Sequence, residues 1–505
     1  MRISTLTRGA VAVTTALALT ACGAQASTTA TGQASQAVVQ TVADGGSSTT
    51  GLSALDDDVE THAQADDVEY DAAEASTITL ADDGSSAESD AVEIADSTVT
   101  ITAPGTYVIS GELSDGQLVV DSSAEGKVRL VLDGAQITST DGSAIVVSAA
   151  DEAVIVLAEG SDNLVADGSG YDTSAEDAPN AAIFSMADLT IGGTGSLEVT
   201  GSTNDGISSK DGLVVLGGTI TVDAVDDGIR GKDYLDLVAG TVTVDAGGDG
   251  LKADNETDDT VGYIRFSGAD VTVHAGDDGA HAEGDLVVAE GNVTIDAVEG
   301  LEGAVVAVTG GATTVTASDD GVNASSGTGT AEGQGGPGGG GGMTDDGSLV
   351  AITGGTLTVD AEGDGIDSNG SLLVTGGTTT VNGPSGDGNG AIDANGTRSV
   401  SGGTLVAGGS AGMAEAFDTD SEQGWVQSAV QVEAGQVVEV RSGDDVLASL
   451  TATKSLANIV ASAPGMTSGT SYTITVDGTE VATATAGQST GGGMGGPGGG
   501  MGPRH

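Results

Sequence analysis

Aspartate recurs at one position of a repeated segment in this 505-residue chain, and stacked carboxylates could bind a metal ion. In the segment AVDDGIRGKD, residues 224–233, an aspartate precedes a glycine, and the same pair recurs at first every 22 residues. Carboxylates on neighbouring repeats repel one another unless a cation lies between them, and Ca²⁺ takes six to eight oxygen ligands. The turn aspartates are Asp205, Asp227, Asp249, Asp278, Asp320 and Asp364.

A second line of polar residues follows the turn aspartates after five or six positions, and the two lines together predict a calcium site. The alternative is ordinary turn chemistry, because aspartate, asparagine and glycine all tolerate the backbone angles of tight turns. The spacing alone leaves both interpretations open. The predicted metal ligands are Asp205, Asp226, Asp227, Asp249 and Asp278 from the first line, and Asp211, Asp233 and Asp254 from the second.

Four of the 13 basic residues lie where these two lines meet, namely Lys210, Arg230, Lys232 and Lys252. One hypothesis is that they form, with calcium, a binding patch for an anionic or hydroxyl-rich ligand. The alternative is that they balance the charge of the neighbouring aspartates. His274 and His281 have neither a cysteine nor an HExxH partner, so the sequence gives little support to a zinc site.

The elements that carry these residues are short runs of valine, isoleucine, leucine and threonine without helical periodicity, which predict an all-β chain. A period near 22 residues with three apolar runs is typical of a parallel β-helix, a solenoid with coils of about 22 residues. We expect this domain to span residues 77–408, with a glycine-rich insert at 325–347. A small C-terminal β module is expected at 409–487, followed by a disordered glycine-rich tail at 488–505.

The charge of the chain is strongly negative, with 75 acidic against 13 basic residues and a net charge of −62. Nucleic acid is excluded as a partner, because phosphate recognition needs patches of lysine and arginine. Cations are the natural partners, although solubility or adaptation to high salt would also explain the charge. We expect the protein to be a monomer.

The N-terminus has the pattern of a secretory signal peptide at residues 1–21, with basic residues, an apolar run and small residues at its end. LTAC, residues 19–22, resembles a bacterial lipobox, which makes Cys22 the lipidation site; the alternative is an ordinary signal peptide with an incidental cysteine. A disordered tether is expected at 22–76. These features predict an exported protein, lipid-anchored to the outer face of the bacterial cytoplasmic membrane or the cell surface.

Three stretches of the chain carry a recognisable pattern, namely SGELSDGQLVVD at 110–121, PNAAIFS at 179–185 and NDGISSKDGLVVLGGTITVDA at 204–224. They resemble a known family of calcium-binding, carbohydrate-binding β-helix proteins, including bacterial proteins that bind cellulose and pectin. The resemblance implies a right-handed parallel β-helix, bound calcium, and non-catalytic binding of a cellulosic or pectic polysaccharide.

That family is similar in fold to the family 9 polysaccharide lyases, so a calcium-dependent, pectate-lyase-like enzyme is the alternative. The lyase metal motif has an aspartate in one repeat and DD-x-x-D in the next, and Asp205, Asp226 and Asp227 match it. The last position is Arg230, which leaves the motif incomplete and favours binding over cleavage; Lys232 is the candidate base if the protein is a lyase. A calcium-stabilised cell-envelope or adhesion scaffold is a third hypothesis.

Overall fold

The computed structural model describes residues 61–175, 177–258, 260–326 and 345–489, and these residues form strands and no helix. The first strands are β1 Ser76–Leu80, β2 Ser86–Ala87, β3 Val92–Ala95, β4 Thr98–Ile101, β5 Gly105–Leu113, β6 Gln117–Asp121, β7 Lys127–Thr138, β8 Ile145–Ala149, β9 Glu152–Leu157, β10 Asp162–Ala166, β11 Ala181–Ser185, β12 Leu189–Gly193 and β13 Ser196–Gly201. The repeated region follows with β14 Asp205–Ser209, β15 Gly212–Val215, β16 Thr219–Ala224, β17 Ile229–Gly231, β18 Tyr234–Leu237, β19 Thr241–Ala246, β20 Leu251–Ala253, β21 Tyr263–Ala275, β22 Asp278–Ala282, β23 Asp285–Ala297, β24 Glu299–Gly303, β25 Val305–Val308, β26 Ala312–Ala317 and β27 Val322–Ala324. After the glycine-rich insert come β28 Leu349–Ile352, β29 Thr356–Ala361, β30 Asp367–Ser368, β31 Ser371–Val374, β32 Thr378–Asn382, β33 Asp393–Ala394, β34 Arg398–Val400 and β35 Thr404–Gly409. The last strands are β36 Trp425–Val432, β37 Val437–Ser442, β38 Asp445–Thr451, β39 Leu456–Ser462, β40 Ser471–Val476 and β41 Thr479–Thr485.

The alternation of threonine with valine or isoleucine explains why each repeat forms strands. In β16 and β19 the apolar side chains Ile220, Val222, Val242 and Val244 are buried, and the two strands pair in parallel with every residue in register. Alternate residues of a strand point to opposite sides, so one side of each strand faces the interior. Buried valine, isoleucine, leucine and alanine from successive repeats then form one continuous core.

The glycine after each turn aspartate is required by close packing between repeats. A Cβ on Gly228 would collide with Val244 and with the carbonyl oxygen of Gly250 in the next repeat, and Gly206 and Gly250 lie in equivalent contacts. The recurring Asp-Gly pair therefore reflects a steric limit at the place where one repeat packs on the next.

The parallel strands divide between a 24-stranded sheet and a 13-stranded sheet, and four C-terminal strands form a third. The first half of β21 pairs with β18 and its second half with β19, so the large sheet continues through the bend between them. Antiparallel pairs also occur within these sheets, at β3–β4 in the 13-stranded sheet and at β35–β39 in the 24-stranded sheet.

The all-β prediction is thus confirmed, but the predicted right-handed parallel β-helix with coils of about 22 residues is wrong. That prediction required three separate strand stacks, one for each apolar run of the repeat. Because hydrogen bonding passes through the bends of long strands such as β21 and β23, two of these runs belong to one sheet instead. Insertions separate β20 from β21 and β27 from β28, the second at the place predicted for the glycine-rich insert.

The predicted C-terminal module, 409–487, contains strands of two sheets. β39 pairs antiparallel with both β35 and β36, and so extends the large sheet. β37, β38, β40 and β41 form the four-stranded antiparallel sheet. A second apolar core, with Val438, Leu450, Ile459 and Ile474 among its members, lies between these layers.

Residues 61–75, which we call the strap, were predicted to belong to the tether but lie against the large sheet. The imidazole of His62 is 2.7 Å from the hydroxyl of Tyr234 and 2.9 Å from that of Thr190. Lys127 Nζ donates to the carboxylate of Asp67 at 2.5 Å. The signal peptide, Cys22, the tether before residue 61, residues 327–344 of the insert and the tail from 490 lie outside the described residues. No helix in the described part is long and apolar enough to cross a membrane.

Candidate functional site

The outward side of the 13-stranded sheet carries one polar position per repeat, which we call the polar column. Its neighbours Ile207, Ile229, Leu251 and Leu301 point into the core, so the column itself points away from the core. Strand register places its members one above the other. In order they are Ser208, Arg230, Lys252, His281, Glu302, Asn323, Asp367 and Asp393; the apolar Phe184 occupies the equivalent position one repeat before Ser208.

The turn aspartates form a second column beside it, and their carboxylates link successive repeats. Asp227 Oδ1 accepts a hydrogen bond from the backbone N–H of Asp249 at 3.0 Å, and Asp249 Oδ1 accepts one from Asp278 at 3.1 Å. Asp320 accepts in the same way from Asp364. One oxygen of each of these carboxylates therefore serves the turn, which supports turn chemistry as part of their role.

In the middle of the sheet the remaining carboxylate oxygens are neutralised by basic side chains of the protein. Lys252 Nζ lies 3.1 Å from Asp227 Oδ2 and 2.7 Å from Asp249 Oδ2. Burial alone would lower the pKa of Lys252, but the carboxylates of Asp249 and Asp227 raise it above its usual range. Arg230 makes a two-pronged contact with Asp254, at 3.0 and 2.6 Å. These ion pairs are the contacts that the charge-balance alternative predicts for Arg230 and Lys252.

The other two basic residues of the predicted binding patch, Lys210 and Lys232, form no ion pair with any residue that the structure describes. Lys210 Nζ lies 6.0 Å from the ring centre of Phe184. Burial and then the charge of Arg230 lower the pKa of Lys210. Beside them, the buried hydroxyl of Ser208 has no hydrogen-bond partner in the described part of the chain. Lys210 and Lys232 are partly exposed and can therefore contact an external ligand, whereas Ser208 is fully buried.

The eight predicted metal ligands do not gather at one point. Asp249 and Asp278 meet with His281 in a group whose ligand atoms lie within 4.8 Å of one another, and the other six belong to no such group among the described residues. Asp205 is buried and bonded to Asn180 and Asn204, and burial raises its pKa to about 7. Asp211 lies beside Asp188 and Asp233, and burial and these charges raise its pKa to about 6.

His281 occupies the place at which the polar column changes from basic to acidic. Its Nδ1 lies 2.8 Å from Asp278 Oδ2 and 2.8 Å from Glu302 Oε2. These two carboxylates raise the pKa of His281 to about 10. The sequence singled out His281 only as a weak zinc candidate, but its position in the polar column, one repeat after Lys252, indicated that it could serve as a third basic residue.

Replacing His281 by glutamine is expected to lower the free energy of unfolding by about 2 kcal/mol at pH 7, the usual size of a lost charged hydrogen bond. The folded-state pKa of His281 is raised from 6.5 to about 10. Its stabilisation is therefore complete below about pH 6.5 and is lost as the pH rises through about 10. Urea denaturation at pH 7 and pH 10.5 measures both effects. His274→Gln is the control, because His274 is exposed; an equal loss in both variants would contradict the prediction.

Beyond His281 the polar column becomes acidic. Asp367 and Asp393 of this column, together with the turn aspartate Asp364, are called the acidic cluster. Their ligand atoms lie within 4.8 Å of one another. Burial raises the pKa of Asp364 to about 7, and burial with the charges of Asp320 and Asp364 raises that of Asp367 to about 7. Within the described ranges no basic side chain forms an ion pair with a member of this cluster, in contrast to Asp227 and Asp249.

Asn323, which precedes Asp367 in the polar column, adds a further oxygen beside the acidic cluster. Its Oδ1 is buried and accepts no hydrogen bond from the described residues, while its Nδ2 donates to Glu299 at 2.9 Å. Carboxylates and an amide oxygen are the ligand types that Ca²⁺ prefers. The donor set therefore fits calcium better here than in the middle of the sheet, where lysine, arginine and histidine already compensate the charge.

A cavity of about 800 Å³ lies near the same end of the sheet, lined by Arg398, Glu415, Asp418 and Trp425 among others. Arg398 forms an ion pair with Glu415, whose carboxylate also accepts from the backbone N–H of Ala394 at 3.3 Å. The loop that carries Glu415 therefore packs on the last strand of the 13-stranded sheet.

Known proteins resemble the part of the chain that carries most of the polar column. Residues 95–336 match the family model described as "Carbohydrate-binding domain-containing protein". This match confirms the predicted resemblance to a carbohydrate-binding family. The matched segment includes the polar column from Ser208 to Asn323, while the acidic cluster lies beyond it.

Two known proteins illustrate the similarity. A carbohydrate-binding domain-containing protein of Acetivibrio thermocellus is 33% identical over 137 residues, which are 27% of this chain and 48% of the relative. The chain thus spans about half the length of that curated relative. A second similar protein is the polysaccharide lyase-like protein from C. thermocellum, whose structure was solved as a gadolinium derivative. It is 33% identical to this chain, and the match covers 44% of this chain and 91% of the solved one with a TM-score of 0.43.

Proposed function

We propose that this protein binds a polysaccharide on the outward side of its 13-stranded sheet without cleaving it. The observation that carries the proposal is the position of Lys210 and Lys232 within the segment that matches the carbohydrate-binding family; neither side chain forms an ion pair with a described residue. Lysine binds anionic groups as a point charge. Of the two candidate ligands, a pectic chain with uronate carboxylates therefore suits this surface better than an uncharged cellulosic chain.

Calcium belongs to the proposal as the ion that the acidic cluster would hold. Asp364, Asp367 and Asp393 would supply carboxylate oxygens and Asn323 an amide oxygen. Bound calcium would neutralise carboxylates that form no ion pair with a lysine or arginine among the described residues. The ion would stabilise the C-terminal end of the polar column. We further propose that Cys22 carries a lipid that holds the exported protein at the outer face of the membrane, as its lipobox-like sequence suggests.

Affinity electrophoresis tests the binding proposal directly. We expect pectic chains in the gel to retard the protein, and Lys210→Met combined with Lys232→Met to weaken binding at least about tenfold, since each lysine would lose one charge-assisted contact. Arg441→Met, on the four-stranded sheet, is the matched control for loss of a positive charge.

Retardation by cellulosic chains alone would exclude the pectic preference, and no retardation by any glycan would exclude polysaccharide binding. If calcium still raised the melting temperature in that case, a calcium-stabilised envelope or adhesion scaffold would be the better interpretation.

A calcium-dependent lyase remains the second candidate because of one observation: burial and the charge of Arg230 lower the pKa of Lys210, which has no ion pair with a described residue. A lysine with a lowered pKa is suited to abstract a proton. Against cleavage, Arg230 occupies the last position of the DD-x-x-D motif and is bound to Asp254. Ultraviolet absorbance of unsaturated uronate, formed from polygalacturonate and lost in Lys210→Met but not in Lys232→Met, would establish the lyase and identify its base.

A further inference from the structure

One contact between the strap and the large sheet joins a lysine, an aspartate and a glutamate. Lys127 Nζ lies 2.5 Å from Asp67 Oδ1 and 2.6 Å from Glu152 Oε1. Lys127 begins β7, Glu152 begins β9, and the two residues are partners in register. Asp67 comes from the strap, 60 residues before Lys127 in the chain. An amine, a carboxyl group and a second carboxyl group that can transfer protons therefore lie in contact, and these are the groups that an amide condensation uses.

The aspartate of this cluster is shielded from water. Asp67 is 1% exposed, whereas the side chains of Lys127 and Glu152 are 25% and 13% exposed. The next residue of the strap, Val68, packs on an apolar cluster that includes Val154 of β9. Because water is a product of amide condensation, a site that excludes water favours the bond and hinders its hydrolysis.

Two further groups hold the carboxyl group of Asp67 in place and polarise it. The backbone N–H of Gln64 donates to Asp67 Oδ2 at 2.6 Å, and Arg129 Nη2 lies 3.7 Å from Asp67 Oδ1. Arg129 Nε also donates to the backbone carbonyl oxygen of Asp67 at 2.9 Å, which fixes the guanidinium group beside the carboxyl group. Such groups stabilise the negative charge that develops on a carboxyl oxygen when a nucleophile adds to the carboxyl carbon.

The protonation of the cluster is balanced between burial and hydrogen bonding. Burial raises the pKa of Glu152, although the hydrogen bond from Lys127 lowers it. Burial alone would lower the pKa of Lys127, but the hydrogen bonds to Asp67 and Glu152 raise it. At rest the cluster therefore holds an ammonium group, and a proton must cross a hydrogen bond before the amine can react. Both acceptors are already in contact with Nζ, so this transfer needs no movement of the chain.

We propose that Lys127 and Asp67 condense to an isopeptide bond, with Glu152 as the catalytic residue. One proton passes from the ammonium group to the Asp67 carboxylate, and the lone pair of Nζ then forms a bond to Cγ of Asp67. Glu152 accepts a second proton from the nitrogen and delivers it to the leaving hydroxyl, so that a Cγ–O bond breaks and one water molecule leaves. Glu152 returns to its initial state, and no oxidant or other reagent is consumed.

The bond attaches the strap permanently to the large sheet. Because Asp67 precedes β1, tension from the N-terminal side of the chain acts on this bond before it reaches β1. Polysaccharide binding does not depend on the bond, since Lys127 lies on the large sheet and the polar column lies on the 13-stranded sheet.

An exposed set of the same residue types offers a comparison within the chain. Lys454 Nζ lies 2.7 Å from Asp360 and 2.9 Å from Glu362, but these carboxylate side chains are 30% and 60% exposed. Water reaches both carboxylates, so we expect Lys454 to remain in an ion pair without condensing.

Protease digestion of the full chain and tandem mass spectrometry test the proposal. We expect a branched peptide that contains both Asp67 and Lys127 and weighs one water molecule less than its two parts. Lys127→Arg keeps the positive charge but should give no branched peptide. Glu152→Gln should lower its yield in freshly purified protein at least about tenfold. Glu198→Gln is the matched control, because Glu198 is an exposed glutamate of the same sheet, and should leave the yield unchanged.

The branched peptide is diagnostic, because a succinimide formed at an Asp-Gly sequence also loses water but joins no second peptide. Circular dichroism shows whether each variant is folded, and Glu152→Asp replaces Glu152→Gln if the latter does not fold. If only separate Asp67 and Lys127 peptides were found after long incubation of the folded parent protein, the proposal would be wrong and the cluster would be a buried ion pair. An equal yield of branched peptide in the folded Glu152 variant would overturn the catalytic role of Glu152.

Discussion

Replacing Lys252 by methionine is expected to lower the free energy of unfolding by about 3 kcal/mol at neutral pH. Loss of one partner from a buried ion pair costs about 3 to 5 kcal/mol, and the partial exposure of Lys252 places this case at the lower end. Its ammonium contacts Asp227 and Asp249, which are 6% and 5% exposed. Without it, two neighbouring carboxylates keep their turn hydrogen bonds but lose their counter-charge.

The pH dependence of this effect has a definite sign. The pKa of Lys252 is raised in the folded protein, so its stabilisation is complete below its unfolded pKa of about 10.4 and is lost as the pH rises through the folded value. In the methionine variant the deficit should shrink towards pH 4, because Asp227, whose pKa burial already raises, can then take up a proton.

Urea denaturation at pH 7 and pH 4.5 measures the Lys252→Met effect. Lys210→Met is the matched control: it removes a lysine from the same sheet face, but one that has no ion pair with a described residue. We expect that control to change stability by less than about 0.5 kcal/mol. Equal losses in the two variants would mean that the fold depends on lysine side-chain packing and not on the ion pairs.

Calcium is expected to reverse a loss of stability that the acidic cluster causes at alkaline pH. The pKa values of Asp364 and Asp367 are raised to about 7, against about 3.9 in the unfolded chain. Between these values the folded state binds more protons than the unfolded state, so stability falls as the pH rises from about 4 to 7 and stays low above that. In EDTA the melting temperature should therefore be lower at pH 8 than at pH 5.

If the acidic cluster binds calcium as proposed, added calcium should raise the melting temperature at pH 8, because the cluster exists only in the folded state. At one hundred times its dissociation constant calcium would contribute about 2.7 kcal/mol. Asp364→Asn with Asp367→Asn should make the calcium-free protein more stable at pH 8 and abolish most of the calcium response. The amide oxygen at 364 can still accept the hydrogen bond that Asp364 receives from the backbone of Gly390.

Asp223→Asn with Asp245→Asn is the control for this experiment, because these exposed aspartates are also neighbours in register but belong to the large sheet. It removes the same net charge and should retain the full calcium response. If calcium stabilised the Asp364→Asn, Asp367→Asn variant as strongly as the parent protein, the ion would bind elsewhere. The middle of the 13-stranded sheet, around Asp249 and Asp278, would then be the next place to test.

Local sequence determined the strands and the alignment of the turns. The alternation in TITVDA and TVTVDA can bury only one side of each strand, and the glycine after each turn aspartate is the only residue that fits against the next repeat. These are effects of neighbouring residues and fixed intervals. For this reason the all-β prediction and the columns of aspartate could be derived without knowledge of the fold.

Tertiary structure alone decided how the strands join and which carboxylates are compensated. Hydrogen bonding through the bend of β21 merges two faces into one sheet, and the spacing of apolar residues contains no information about such a bend. Asp393 meets Asp364 and Asp367 because a strand register places it there across an irregular repeat. Whether an aspartate can hold calcium depends on which cations reach it in space: Lys252 reaches Asp227 and Asp249, whereas no described lysine or arginine pairs with the acidic cluster.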